Sequence, residues 1–391
     1  MNLFDYYCIN NDILSCEQHG FRSKCSCLTN LLECFNDWTS MIDEQGTGID
    51  VIYTDFRKAF DSVPHNRLLK KLSSYGIRGK VHAWLKGFLV GRQQRVVLNG
   101  SFSKWTSVTS GVPQGTILGP LCFLLFINDL PERVTSIIKL FADDCKLYRK
   151  IKKKSDCYKL QQDLNQLSAW SNEWLLDFSV EKCSVLRVKS RVDYPYFIKG
   201  ERLSEVEQQK DLGITVSNDL KPNKHITSIV KKANQRLAMI KRCFSNRSPE
   251  VIISLYTTLI RPILEYCSPA WSPWLKKDIE SLEKTQRRCE KLCNSDIKFP
   301  RLADRRRAID LKETYKILNN KYTIKSDSFF KRNKSQLRGH SDKLLLEQCR
   351  TDIRKHFFVN RVIHDWNNLP KKAVSAQTTE AFKEEIEPYI L

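Results

Sequence analysis

Apolar positions recur along this chain at two different periods, and the switches between them mark the elements. From residue 25 to about 44, Leu28, Leu31, Leu32, Phe35 and Trp38 return at helical spacing, and Gly46 and Gly48 end the pattern. Residues 49–55 are rich in β-branched and aromatic side chains and predict a strand with Ile49, Val51, Tyr53 and Asp55 on one face. Asp55 therefore closes a strand. After Pro64 a helix carries Leu68, Leu69, Leu72 and Tyr75 and stops at Gly76, and a second helix runs through Val81, Trp84, Leu85 and Phe88. Residues 95–98 and 104–109 flank Asn99-Gly100, a dipeptide suited to the positive φ angles of a tight hairpin. A further apolar hairpin is predicted from residues 137–141 and 145–148, with Ala142, Asp143 and Asp144 at its tip.

Beyond roughly Ser190 the pattern shifts toward basic amphipathic helices, which suggests a domain boundary. Ile226, Ile229, Val230, Ala233, Leu237, Ile240 and Phe244 share one helical face, while Lys231, Lys232, Arg236, Lys241 and Arg242 lie largely off it. Ser248-Pro249-Glu250 reads as a helix start, and the remainder looks mainly helical.

Charge sharpens this picture. The 391 residues hold 65 Lys and Arg against 44 Asp and Glu, a formal net charge of +21, the footprint of a protein that neutralises phosphates. No apolar run is long enough to span a membrane. The opening residues Met1-Asn2-Leu3-Phe4-Asp5 lack the features of a secretory signal, which predicts synthesis in the cytosol and leaves the nucleus open as a destination. The 14 cysteines are spread out, and Cys25-x-Cys27 and Cys289-x₃-Cys293 have no matching pair at zinc spacing, so reduced structural thiols are expected.

Asp55 and the Asp143-Asp144 pair are the candidates for chemistry. Phosphoryl transfer by a two-metal clamp needs carboxylates from separate strands meeting at their ends, because Mg²⁺ prefers oxygen ligands and shares its sphere with phosphates and water. Taken singly, each acid is an ordinary turn residue. Three features weigh against that reading: the Ser110-Gly111-Val112-Pro113-Gln114-Gly115 turn ahead of the apolar segment 116–127, Phe60 five residues after Asp55, and a spacing between Asp55 and Asp143 that accommodates a palm-like sheet.

These residues resemble the reverse transcriptases of non-LTR retrotransposons, in particular the Jockey and CR1-like lineages. The similar motifs are Gln18-His19-Gly20-Phe21-Arg22, Tyr53-Thr54-Asp55-Phe56-Arg57-Lys58-Ala59-Phe60-Asp61, the run from Ser110 to Pro120, and Phe141-Ala142-Asp143-Asp144. Together they are highly specific. The resemblance implies an α+β fold: a right-hand polymerase palm of antiparallel strands with helices, partial fingers, a helical thumb and a helical C-terminal region. It implies fingers at 1–48, palm at 49–220, a thumb-like region at 221–300 and a C-terminal region of unknown role at 301–391.

The resemblance further implies an RNA-directed DNA polymerase using Mg²⁺, or Mn²⁺, with an RNA template, a DNA primer and deoxynucleoside triphosphates as partners. Asp55, Asp143 and Asp144 would be the catalytic metal ligands, Asp144 the more supportive of the neighbours. Phe60 would be the gate against a 2′-hydroxyl, Gln114 and Gly115 would meet nucleotide or template, Arg22 would reach the triphosphate, and Lys182 in Phe178-Ser179-Val180-Glu181-Lys182-Cys183 would aid proton transfer to pyrophosphate. Lys210-Asp211-Leu212-Gly213-Ile214 resembles a primer-gripping hairpin, and Lys231, Lys232 and Arg236 would contact phosphates. The Arg305-Arg306-Arg307 run suits phosphate contact or nuclear import, and the basic run 149–154 a solvated loop. The segments around Glu265-Tyr266-Cys267 and Trp366-Asn367-Asn368 look like post-thumb structure whose aromatics pack in a core. The parent element is expected to supply an endonuclease and further finger strands, this chain being N-terminally truncated. The alternative is a catalytically inactive remnant that still binds nucleic acid; an intron maturase-like protein fits the later region less well.

Overall fold

A strand that is apolar at most positions can sit at the middle of a sheet, and Gly48–Thr54 (β1) does: in the computed structural model all of its residues are buried, and its one carboxylate, Asp50, accepts from the Tyr196 hydroxyl at 2.7 Å. The structure describes residues 13–245, 247–293, 298–333 and 340–390, so the opening pentapeptide lies outside the described residues. Cα packing divides the chain into two units, one of Met1–Ser26 with Gly48–Val206, the other of Cys27–Thr47 with Glu207–Leu391.

The first unit is built on a five-stranded sheet. Its other strands are Ile137–Phe141 (β2), Asp144–Ile151 (β3), Ser184–Val188 (β4) and Ser204–Val206 (β5), in spatial order β5-β4-β1-β3-β2. All neighbours are antiparallel except β5 on β4. The register sets which residues share an end of the sheet: Thr54 pairs with Cys145 on β3, and Tyr53 with Ser184 on β4. The residue after β1, the turn before β3 and the segment before β4 therefore emerge together. The wholly buried segment from Leu121 to Ile127 of the helix Leu118–Ile127, with the helices His65–Ser74 and Lys154–Trp174, contributes to the apolar core that includes Ile52, Leu140, Leu147 and Val185.

Local expectations in this unit hold with two refinements. The His65–Ser74 helix ends before Gly76 (φ 81°), and Asn99 and Gly100 turn the second hairpin with φ of 49° and 80°. The helix Gly79–Leu89, however, buries only Leu85 and Leu89 and leaves Val81 and Trp84 exposed. The basic run 149–154 is a solvated loop only in part: exposed Lys152 and Lys153 form a bend between the end of β3 and the Lys154–Trp174 helix, whereas Arg149 lies on β3 and donates to Ser136 and Thr135 hydroxyls.

In the second unit the helix Cys27–Asp43 is held by residues distant in the chain. Asp43 accepts from the Arg350 and Thr351 backbone N–H groups, Arg350 donates to the carbonyls of Ile42, Asp43 and Glu44, and buried Arg354 donates to Asn36 and Thr39. Arg350 thus satisfies the carbonyls a helix C-terminus leaves unpaired. The division between the two units therefore falls at 26/27, 47/48 and 206/207. Gln208–Asp211 and Ile214–Ser217 form the expected hairpin, turned at Leu212 and Gly213 with φ of 43° and 89°. The helix Asn223–Cys243 buries Ile226, Ile229, Ala233, Leu237 and Ile240 and exposes Lys231, Lys232 and Arg236. The Arg305-Arg306-Arg307 run is a correction. Arg305 pairs through two bonds with Glu265, Arg307 pairs in the same way with Asp365, and Arg306 is only 2% exposed. Arg305 and Arg307 spend their charge on these pairs, Arg307 remaining at the surface, and it is the buried Arg306 that is withdrawn from phosphate or an import receptor.

Candidate active site

Three chain segments meet at the end of the sheet where β1 stops. Asp55 follows β1, and its carbonyl accepts from Ser179 N–H at 2.8 Å, tying it to the segment before β4. On that segment a short 3₁₀ turn, Val180–Lys182, presents Lys182, whose Nζ lies 3.1 Å from Asp55 Oδ2. Asp143 stands in the turn between β2 and β3, close enough to Asp55 and Lys182 for their charges to act on it. Burial pushes the Asp143 carboxyl above the usual carboxylate range; its own backbone N–H and Lys182 oppose this, and the Asp55 charge adds to it. Lys182 is held above the ordinary lysine value by its hydrogen bond to Asp55, then by the charges of Asp55 and its neighbours Glu181 and Asp143.

The structure thus brings together Asp55, Asp143 and Lys182. Asp144 is the exposed first residue of β3, paired across the hairpin with Phe141. Among the described residues no three His, Cys, Asp or Glu side chains are grouped to hold a metal ion. The donor set at the meeting point is two carboxylates with one ammonium beside them. Two oxygen donors that repel one another and already attract a cation suit a hard divalent ion, which fills the rest of its sphere from substrate oxygens and water.

A contact that sequence spacing did not reveal fixes the Asp143 turn. Ala142, just before Asp143, has φ 53°, a conformation that a non-glycine residue keeps only when its surroundings hold it. Gln18 provides that hold. Its Oε1 accepts from Ala142 N–H at 2.9 Å and from Gly20 N–H at 2.7 Å, and its Nε2 donates to Ala142 O at 3.2 Å. Glu17 and His19 bracket Leu140 by backbone bonds of 2.9 Å each, and Glu17 pairs with Lys139 at 2.6 Å. A Cβ on Gly20 would lie 2.3 Å from Ala142 N, so this close approach requires glycine. Arg22 in the same motif turns inward. Its Nη1 donates to the carbonyls of Ser15 and Gln18 at 2.5 and 3.1 Å, where it braces the loop.

Phe60 and Gln114 sit close by. Phe60, on the short helix Ala59–Ser62, stacks on Phe123 at 4.6 Å between ring centroids and meets Phe21 edge-on at 6.4 Å. The exposed Gln114 donates to Asp61 Oδ1 at 3.0 Å, and Gly115 has φ 79° with open space where a Cβ would stand. The loop is braced at Gly111 (φ 87°), whose carbonyl accepts from Arg92 Nη2 at 2.8 Å and lies 2.9 Å from His65 Nε2. Asp61 is the residue that spacing alone passed over: it stands next to Phe60 on the same short helix and holds the Gln114 amide.

A family model described as reverse transcriptase (RNA-dependent DNA polymerase) matches residues 4–216. The chain belongs to the reverse transcriptase family. The α+β fold built on the five-stranded sheet is accordingly that of a reverse transcriptase. Among similar curated proteins, the probable RNA-directed DNA polymerase from transposon BS of Drosophila melanogaster is 26% identical over 296 residues, which is 71% of this chain and 32% of the relative. The RNA-directed DNA polymerase from mobile element jockey of the same species is 25% identical over 279 residues, 65% of this chain and 30% of the relative. The reverse transcriptase chain thus spans about a third of the length of the curated relatives it matches. Among solved structures, an apo telomerase from Candida tropicalis aligns over 76% of this chain and 47% of that one, at 10% identity and a TM-score of 0.41.

Proposed function

We propose that this chain is the RNA-directed DNA polymerase of a non-LTR retrotransposon, extending a DNA primer on an RNA template with deoxynucleoside triphosphates. The observation that carries the reading is the meeting of Asp55 and Asp143, from distant segments, at one end of the palm sheet beside Lys182. Asp55 and Asp143 would hold Mg²⁺, with Asp144 joining once substrate is present. Ions there would activate the primer hydroxyl and stabilise the departing pyrophosphate.

The remaining roles fall to side chains already in place. Phe60 is wedged by Phe123 and Phe21, so its ring has little freedom to yield to a 2′-hydroxyl, which favours deoxynucleotides. Gln114 is oriented by Asp61 toward nucleotide or template. Lys182, exposed and cationic, can pass a proton to pyrophosphate once substrate draws it from Asp55. Arg22, engaged with Ser15 and Gln18, reaches a triphosphate only by leaving those carbonyls.

Primer extension on an RNA template tests the proposal. The purified chain is expected to add deoxynucleotides in Mg²⁺, and Asp143→Asn to lose roughly a thousandfold or more, the several kcal/mol that metal-held charge supplies. RNA affinity should hardly change in that variant. A chain that binds the primer–template but never extends it would instead be an inactive nucleic-acid-binding remnant.

A further inference from the structure

From Ser62 to Asn128 the chain contains no aspartate or glutamate, yet holds nine lysines and arginines. In a protein with 44 acidic residues, so long an acid-free stretch gives its cations no carboxylate partner of its own; Lys71 finds one outside it in Asp129, and Arg92 turns to the Gly111 carbonyl. At its centre stands a hairpin whose two short pairings, Gln93–Gln94 with Thr106–Ser107 and Val97–Leu98 with Ser101–Phe102, are fully exposed. Between the pairings the strands are unequal, with Ser103, Lys104 and Trp105 opposite Arg95 and Val96. Ser103 bridges the gap by donating its N–H to Val96 O and accepting Val96 N–H on Oγ. The bulge brings two rings to Arg95, whose guanidinium carbon lies 4.2 Å from the Phe102 centroid and 4.6 Å from that of Trp105.

These rings are not core. Phe102 is 59% exposed and Trp105 57%, and on the helix Gly79–Leu89 Trp84 is also 57% exposed while stacking on Phe88. Apolar surface left in water next to cations, with the amides of Gln93, Gln94 and Asn99 between, offers base stacking, phosphate pairing and base-edge hydrogen bonds together. A second copy of the chain would bring like charges into contact, which disfavours self-association as the reason for the exposure. The root of the hairpin is tied to the Gln114 loop. Arg92 donates to Gly111 O, and Val108 N–H donates to Arg92 O at 2.9 Å. A strand threaded past that loop would run onto the hairpin.

We propose that this hairpin and the adjoining helix face bind single-stranded nucleic acid, stacking bases on Phe102, Trp105 and Trp84 and pairing phosphates with Arg95, Lys104 and Lys86. The surface rests on the polymerase reading for the identity of its strand, the unpaired template, and on its own geometry for binding.

Fluorescence anisotropy with a labelled single-stranded RNA tests it on the full chain. Phe102→Ser with Trp105→Ser is expected to weaken binding about tenfold or more, since stacking contributes roughly 1–3 kcal/mol per base. Arg95→Gln should weaken it severalfold and reduce its salt sensitivity. All three residues are exposed, so an unchanged unfolding midpoint is expected and separates lost contact from lost fold. RNA binding unchanged in the double variant overturns the proposal. So does loss only of binding to phosphatidylserine vesicles, or only of self-association in sedimentation, since the occupant would then be a membrane or a second copy. The measurement requires no catalysis: a chain that fails to extend primers but loses RNA affinity on the double substitution sinks the polymerase reading and keeps this one.

Discussion

Gln18 uses both ends of its amide on Ala142, and this makes a residue outside the chemistry answerable for the position of Asp143. Replacing it with leucine would leave the Ala142 N–H and C=O, both buried, without partners, at about 1–3 kcal/mol for such a loss. The left-handed turn would then relax, and the carboxyl with it. The expected result for Gln18→Leu is a fall in kcat of at least about tenfold with RNA affinity retained, and Gln18→Glu, which keeps the acceptor for Ala142 N–H, should recover part of it. Equal kcat for Gln18→Leu and the natural chain would remove Gln18 from the mechanism. Lys71 raises a different question at the same scale. Its Nζ lies 2.5 Å from Asp129, 3.8 Å from the Trp174 ring centroid and 4.8 Å from that of Trp170, and it also donates to Phe126 O. Burial pulls its pKa down to about 8, with the Asp129 charge opposing. Because the folded value lies below the unfolded one, the unfolded chain holds more protons between them, and this group's penalty is full below pH 8 and fades as pH rises toward 10.5. Urea unfolding should therefore show the natural chain gaining stability relative to Lys71→Met across that window, by about 3 kcal/mol at most. A stability difference that stays flat with pH would mean that Lys71 keeps its ordinary pKa.

At the scale of elements, what periodicity could show it showed. The Asp55 strand, the Ala142-Asp143 hairpin, the Asn99-Gly100 turn and the basic helix from Asn223 all follow from local patterns, since strands and amphipathic helices are written in side-chain alternation over a few residues. Partner choice is not written there. The helix Cys27–Asp43 has a clear apolar stripe, yet it takes residues some three hundred positions on, Arg350, Arg354 and Phe357 among them, to reveal what it packs with. The arginine run at 305–307 looks like a solvated patch until Glu265 and Asp365 arrive from other helices. Exposure misleads for the same reason: Trp84 repeats at core spacing but meets water, because nothing comes to cover that face of its helix among the described residues of its unit. At the site, the residue types were legible and their grouping only in part. Asp55 and Asp143 meet because β1 and β3 are in register at Thr54 and Cys145, whereas Asp144 falls on the strand itself and projects to solvent.

For the molecule as a whole, the net charge of +21 is the property that every nucleic-acid contact must share. Phosphate neutralisation releases counterions, so affinity falls with salt in proportion to the number of cations engaged, by about 0.7–0.9 in log–log slope for each phosphate. The helix Asn223–Cys243 allows that number to be changed without touching the fold. Lys231, Lys232 and Arg236 are exposed, their helix is anchored by Ile229, Ala233 and Leu237 on the opposite face, and surface substitutions of this kind usually shift stability by no more than about 0.5 kcal/mol. If these three cations meet phosphates of a primer–template, replacing all of them with alanine should flatten the slope by about two, and affinities for unrelated sequences should fall together because backbone contacts carry no base information. Binding isotherms at four or five salt concentrations, on two primer–templates of different sequence, provide the check. A slope identical to that of the natural chain would show that this face stays in solvent while the strand is bound. The Phe102 and Trp105 double substitution makes the contrasting case, since it removes stacking and no charge: it should lower affinity for single strands while leaving the salt slope where it was.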